Sequence, residues 1–198
     1  MEIDVKKIIH DTVILTVICI VSGLMLGLAH EVTAPITAAR KAAEKAETYA
    51  SMLTDADHFE DKADMIEGTV KTLADAGINA SINDMMYAYD ASGNVMGYAF
   101  SIRTAGKIAE IITAVCVDTN GTLLGIDILQ SSETSGLGSK ADEPAFKDQF
   151  AGQTAGKLSV VKGTAGDGQI ESISGATVTS KAVVDAANAA LTVAASLQ

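Results

Sequence analysis

The chain has no tryptophan, and aromatic residues make up only 4% of its 198 positions. Any core must therefore be built from Ala, Val, Ile, Leu and Met. Cations are scarce as well. Lys and Arg number 14 against 25 Asp and Glu, a formal charge of −11, of which residues 1–29 carry −1 and the remainder −10. So acidic a body repels phosphate backbones, which argues against nucleic acid as a partner. Cysteine is limited to Cys19 and Cys116, neither in a CxxC, and the three histidines (His10, His30, His58) are scattered. That spacing argues against a zinc or iron–sulfur site made by this chain alone, and no metal ligand is expected. There is also no substrate-sized acid/base pair, no nucleophile–histidine arrangement and no hydride-donor motif, so no catalytic residue is expected.

What is present begins with an apolar run. Thr12 to Ala29, TVILTVICIVSGLMLGLA, is 18 residues without a charge. At about 1.5 Å per residue it spans about 27 Å as a helix, close to the hydrocarbon thickness of a bilayer. A cleaved signal peptide is the rival reading, with Lys6 and Lys7 as its positive end. The run is longer than a usual signal-peptide core, and an uncleaved anchor is the expectation. Gly23 and Gly27 stand at GxxxG spacing, which either admits a neighbouring helix or is simply tolerated. Lys6 and Lys7 lie close before the span, whereas Arg40, Lys41 and Lys45 lie farther beyond it. The positive-inside rule then leans toward an inner N-terminus and an outer body.

Beyond the span, Pro35 suits a first helical turn and is followed by strong helix formers, which predicts a helical stalk from Pro35 to about Leu53. TDADHFEDKAD reads as a polar break, and Met65 to Ala76 as a short helix. The period then changes. Met85–Asp90, Val95–Ile102, Glu110–Asp118 and Leu123–Leu129 read as strands separated by ASGN, TAGK and TNGT, an antiparallel meander. Cys116, inside the third strand, reads as a small buried hydrophobe. The fold class expected is α+β: one N-terminal transmembrane helix (1–33), a helical stalk (34–80), and a domain (81–198) with an antiparallel sheet and flanking helices.

Two stretches carry chemistry. SSETSGLGSK places Leu137 between Gly136 and Gly138, where a plain loop would be polar. Either Leu137 is presented outward while the backbone approaches something flat, or it tucks into the core ahead of a helix from Pro144 to Phe150. The spacing is not that of a nucleotide-binding GxGxxG. Farther on, ESISGATVTS crowds Ser172, Ser174, Thr177, Thr179 and Ser180 around Gly175. A helix follows, with Val183, Ala187, Ala190, Leu191, Ala194 and Leu197 on one face. Hydroxyls at a helix N-terminus, with free N–H groups and the positive dipole end, suit an anion such as phosphate, and a Thr there could even be esterified to it. A simple N-cap is the competing reading.

SGATVTS followed by an amphipathic helix, with ETSGLGSK some forty residues upstream, resembles a family of FMN-binding domains. These belong to the G subunit of the Rnf ferredoxin:NAD oxidoreductase and to the C subunit of the sodium-pumping NADH:quinone oxidoreductase. The likeness covers nearly the whole chain, and the compact size favours the former. It implies FMN joined covalently through its phosphate to Thr177 by a dedicated flavin transferase, with Ser174, Gly175, Ala176, Thr179 and Ser180 around the phosphate. It further implies that Glu133, Thr134, Gly136, Leu137 and Gly138 lie beside the isoalloxazine ring. Glu171 stands where the family pattern usually has Asp, and Ser135 where it usually has Pro.

The function implied is that of an electron-carrier subunit, not catalytic alone. Its FMN domain would lie outside the cell, tethered to the lipid bilayer and to other membrane subunits, in an assembly coupling electron transfer between ferredoxin and NAD to Na⁺ or H⁺ movement. A stand-alone extracytoplasmic flavoprotein and a cofactor-free single-pass interaction protein, in which SGAT only caps a helix, are the readings that compete with it.

Overall fold

A computed structural model describes residues 5–154 and 156–197. Contacts divide the chain into two units, Met1–Glu44 and Lys45–Gln198.

In the first unit the described residues form one helix, the start of α1 (Val5–Met52). It is long and apolar enough to cross a membrane. The hydroxyls of Thr12, Thr16, Thr33 and Thr37 donate to carbonyls four residues back, at 2.8, 2.8, 2.8 and 2.9 Å, so these polar groups are satisfied within the helix itself. The stalk does not begin as a separate helix at Pro35, because α1 runs through it. A proline removes one bond of the ladder, and between strong helix formers such as the Ala-rich stretch after it, that loss does not end the helix.

In the second unit five strands pair in sequence order as one antiparallel sheet: β1 (His58–Asp61), β2 (Ala80–Tyr89), β3 (Val95–Ala105), β4 (Glu110–Asp118) and β5 (Leu123–Gln130). The four expected strands are present with their Gly-containing turns. The segment read as a polar break contains β1, which pairs His58 with Tyr89 and Asp61 with Met86. Its polarity has a reason: β1 is an edge strand, and charged side chains keep such an edge from pairing with another chain. The short helix α2 (Ile66–Asp75) follows a single 3₁₀ turn.

Alternation along the strands builds two cores. Tyr98, Phe100 and Ile102 of β3 and Val115 and Val117 of β4 face a large cluster that includes the C-terminal helix α4 (Thr177–Ser196). Each fully buried side chain of this size stabilises the fold by about 1.5–3 kcal/mol. On the opposite face Ala88, Ala99, Ala114 and Cys116 pack with Tyr49 and Leu53, so the last two turns of α1 belong to this unit. Lys45 pairs with Asp84 at 2.8 Å beside them. The helix α4 is buried beyond the single stripe its period suggested: Ala182, Val184, Ala186, Ala189 and Val193 are covered as fully as Val183, Ala187 and Ala190.

The remaining elements lead to the site. After β5 comes the ETSGLG loop, a 3₁₀ turn (Gly138–Asp142) and α3, which spans only Pro144–Lys147. Lys147 reaches Asp127 on β5 and Asp142 in the turn, at 2.5 and 2.9 Å, and fastens this segment to the sheet. Two three-residue strands, β6 (Ser159–Val161) and β7 (Gln169–Glu171), pair in parallel. The sequence pattern does not announce them, since they are too short to show a period. The Ser172 N–H extends this pairing by donating to the Val161 carbonyl at 2.8 Å, which carries the chain directly into ISGAT.

Candidate functional site

The chain reaches α4 through a turn in which the Ala176 N–H donates to the Ile173 carbonyl at 3.0 Å and Gly175 takes φ +78°. That conformation is costly for any residue with a Cβ, and a Cβ here would also sit 3.1 Å from Leu137 Cδ2. The turn makes Ala176 the N-cap, with no side-chain cap, so among the described residues no side chain bonds the free N–H groups of the first turn. The hydroxyl cluster therefore does not cap the helix. Thr177, the first helical residue, is exposed, as is Ser174, and both line a cleft of about 710 Å³. A cleft of this size lies within the range of about 300–1,000 Å³ usual for small-molecule sites.

Across the cleft, the Thr134 carbonyl accepts the N–H groups of both Leu137 and Ser139, at 3.1 and 3.2 Å, and the Gly136 N–H donates to Ser139 Oγ at 2.9 Å. The tightened loop pushes Leu137 outward, 44% exposed, against Gly175. Of the two readings of Leu137, the outward one is what the structure shows. With Ile108 and Val178, also exposed, it gives the cleft apolar walls. Lys107 and Lys162 supply its cationic side chains, and neither belongs to an ion pair among the described residues.

Glu133 joins the pieces. Its Oε1 accepts the N–H groups of Lys107 and Ile108 at 2.8 and 2.9 Å, and its Oε2 accepts the hydroxyl of Thr179 at 2.6 Å. Partial burial alone would raise its pKa, but the Ile108 N–H, the Thr179 hydroxyl and the Lys107 N–H outweigh that and hold the carboxyl below its ordinary value. A Cβ on Gly106 would lie 2.5 Å from Oε1, and one on Gly138 2.6 Å from the Glu133 Cβ. The carboxylate is thus enclosed by two residues that must lack side chains.

Nine of the eleven residues expected around the cofactor meet in this cleft: Glu133, Thr134, Leu137, Gly138, Ser174, Gly175, Ala176, Thr177 and Thr179. Two do not line it. Gly136 serves the loop turn at φ +75°. Ser180 is fully buried, its Oγ accepting the Ile173 N–H at 3.0 Å and donating to the Ala176 carbonyl at 3.1 Å, so it shapes the turn instead of facing the cleft. Thr179 lines the cleft, but its hydroxyl is turned to Glu133. The sequence pattern does not reveal Lys107, read only as part of the TAGK turn, nor Ile108 just after it, nor Lys162, in the Gly-rich KGTAGDG stretch before the motif.

Could this cleft hold a flavin nucleotide? An uncapped helix N-terminus and exposed hydroxyls suit the phosphate, apolar walls suit a ring system, and two lysines outside any ion pair suit an anion. The residues fit.

Residues 106–192 match the family model described as FMN-binding domain. Over 198 residues the chain is 32% identical to the G subunit of the Na⁺-translocating ferredoxin:NAD⁺ oxidoreductase complex of Acetobacterium woodii, covering 98% of this chain and 94% of that protein. It is 30% identical over 193 residues to the G subunit of the ion-translocating oxidoreductase complex of Methanosarcina acetivorans, covering 95% of each. Among solved structures, the C subunit of the Na⁺-translocating NADH-quinone reductase of Parabacteroides distasonis is similar, with a TM-score of 0.46 and 25% identity over 63% of this chain and 64% of that one. The chain belongs to the G-subunit family of ion-translocating oxidoreductase complexes.

Proposed function

We propose that this protein is the membrane-anchored electron-carrier subunit of an Rnf-type complex, with FMN held through its phosphate as an ester on Thr177. The observation that carries the reading is the exposed Thr177 hydroxyl at the head of a helix whose first turn has no side-chain cap. Those N–H groups and the helix dipole would hold the phosphate oxygens. Gly175 keeps the approach open, and Lys107 and Lys162 would offset negative charge along the cleft. Leu137, Ile108 and Val178 would exclude water from the ring's faces.

FMN, when bound, supplies the capacity to take up and release electrons singly or in pairs. The protein's part is to hold it in place, and an ester suits a carrier on the outer side of a membrane, where a dissociating cofactor would be lost by dilution. Lys6 and Lys7 ahead of the apolar helix support that orientation. A dedicated flavin transferase would make the bond, and the other membrane subunits would supply the neighbouring redox centres. The assembly would couple electron transfer between ferredoxin and NAD to Na⁺ or H⁺ translocation; the Acetobacterium woodii relative is named as a subunit of a Na⁺-translocating ferredoxin:NAD⁺ oxidoreductase complex.

In-gel ultraviolet fluorescence of the denatured chain, co-expressed with a flavin transferase, tests the reading. A fluorescent band that disappears in Thr177→Ala is expected. A dark wild-type band would overturn it.

A further inference from the structure

The sequence resemblance places Glu133 beside the flavin as a contact. The geometry points to a different role for it, that of a positioning residue. Glu133 ties the attachment helix to the opposite wall of the cleft, and it acts on the cofactor only through Thr179 and the Lys107–Ile108 segment. This rests on the flavin reading of the site given above.

Three observations carry it. First, the carboxylate already accepts three hydrogen bonds from within the protein. Oε1 takes two backbone N–H groups from the β3–β4 turn, and Oε2 takes the Thr179 hydroxyl at 2.6 Å, two residues after the proposed attachment point. Second, the hydroxyl partner is 1% exposed, so Thr179 cannot turn toward a ligand without giving up its bond to the half-buried carboxylate. Third, the enclosure leaves no freedom of placement: Cβ atoms on Gly106 and Gly138 would fall 2.5 and 2.7 Å from the two carboxylate oxygens. Three chain segments far apart in sequence (the β3–β4 turn, the ETSGLG loop and the first turn of α4) converge on one side chain. They carry Ile108, Leu137 and Thr177, so Glu133 sets the width between the apolar walls and the attachment hydroxyl.

A positioning role depends on shape and hydrogen bonding, and a flavin contact depends on charge. Glu133→Gln keeps the length and the Oε1 acceptor, and its amide can donate to Thr179 Oγ1. Glu133→Asp is too short to reach both partners, and Glu133→Ala reaches neither. Full-length chains are co-expressed with a flavin transferase and compared for covalent flavin by in-gel fluorescence and for the visible circular dichroism of the bound flavin, which reports its fixed surroundings. Covalent flavin is expected to fall about tenfold in Glu133→Ala and Glu133→Asp, with the visible dichroism of the remainder weakened. Glu133→Gln restores both toward wild type. Thr179→Val is expected to resemble Glu133→Ala, and Thr179→Ser to resemble wild type.

A second measurement does not involve the flavin at all. In the Thr177→Ala background, amide hydrogen exchange at Lys107 and Ile108 is expected to quicken about tenfold in Glu133→Ala and not in Glu133→Gln. A wild-type chain without flavin would overturn the functional reading while leaving this exchange pattern to decide the clamp. Unchanged exchange and unchanged flavin in Glu133→Ala would overturn the clamp, and so would a loss in Glu133→Gln as deep as in Glu133→Ala. Near-ultraviolet circular dichroism of the tyrosines identifies any variant that fails to fold, and Thr179→Val then carries the test.

Discussion

Asn188 sits in the middle of α4, 3% exposed, where an amide has no obvious business. Its Oδ1 accepts the N–H of Leu158 at 2.8 Å and its Nδ2 donates to the carbonyl of the same residue at 3.0 Å. Leu158 is 2% exposed and immediately precedes β6, the strand that leads to Lys162 on the cleft wall. Asn188→Ala leaves one buried N–H and one buried carbonyl without partners. At about 1–3 kcal/mol for each, the loss is about 2–6 kcal/mol. For a domain of this size about 2–4 °C is lost per kcal/mol, so the transition should fall by about 4–24 °C. Thermal unfolding of the full chain in detergent, followed by near-ultraviolet circular dichroism, reads this directly, since all four tyrosines lie in the second unit. Asn188→Asp adds a sign. A carboxylate still accepts from the Leu158 N–H, but its second oxygen faces a carbonyl, so the folded state raises its pKa above the unfolded value of about 3.9. The variant should match wild type most closely near pH 4 and lose ground as pH rises through the unfolded pKa toward 7. A transition within about 2 °C of wild type for Asn188→Ala, or an Asp variant that gains stability toward pH 7, would refute the reasoning.

Other outcomes follow from the same geometry. Because the folded pKa of Glu133 is held below its ordinary value, its contribution is complete above about pH 4.3 and fades as pH falls through the folded value. Melting temperatures of wild type and Glu133→Gln should therefore converge on acidification, and parallel curves would count against an ionised clamp. Gly138→Ala forces a methyl to within 2.6 Å of the Glu133 Cβ and should lower stability by about 1–3 kcal/mol, read from the urea midpoint. Cys116 is fully buried and burial pushes its thiol pKa well up, so iodoacetamide at pH 8 should modify it only once the chain is unfolded, as peptide mass mapping would show.

The sheet is readable in the sequence because each turn from β2 to β5 carries a glycine and each strand between them is a short, mostly apolar run. β1 is not, since an edge strand of His, Phe, Glu and Asp has neither the alternation nor the apolar content that marks a strand. The break expected at Pro35 shows the limit of local rules, for a residue that suits a helix start is also tolerated within a long helix. At the site, the two motifs name their own loops but not what stands between them. Lys107, Ile108 and Lys162 reach the cleft only because the hairpin, the β6–β7 pair and α4 converge, a long-range fact with no local sign. Ser180 is misplaced for a related reason: five neighbouring hydroxyls look alike in a string, while the helical turn buries two of them, Thr179 against Glu133 and Ser180 against the turn itself. The amphipathic stripe of α4 is correct as far as it goes, but Asn188 and the alanines of the other faces are explained only by the strand and turn that close over them.

The alanines of α4 also leave no slack. At positions 182, 186, 187, 189, 190 and 194 each methyl is at most 4% exposed, among the buried Val183, Val184, Leu191 and Val193. Thr177 opens the same helix. A bulkier residue at any of those six positions must displace its neighbours or the helix itself, at about 1–3 kcal/mol, so swapping one small hydrophobe for another there is felt at the hydroxyl that begins the rod.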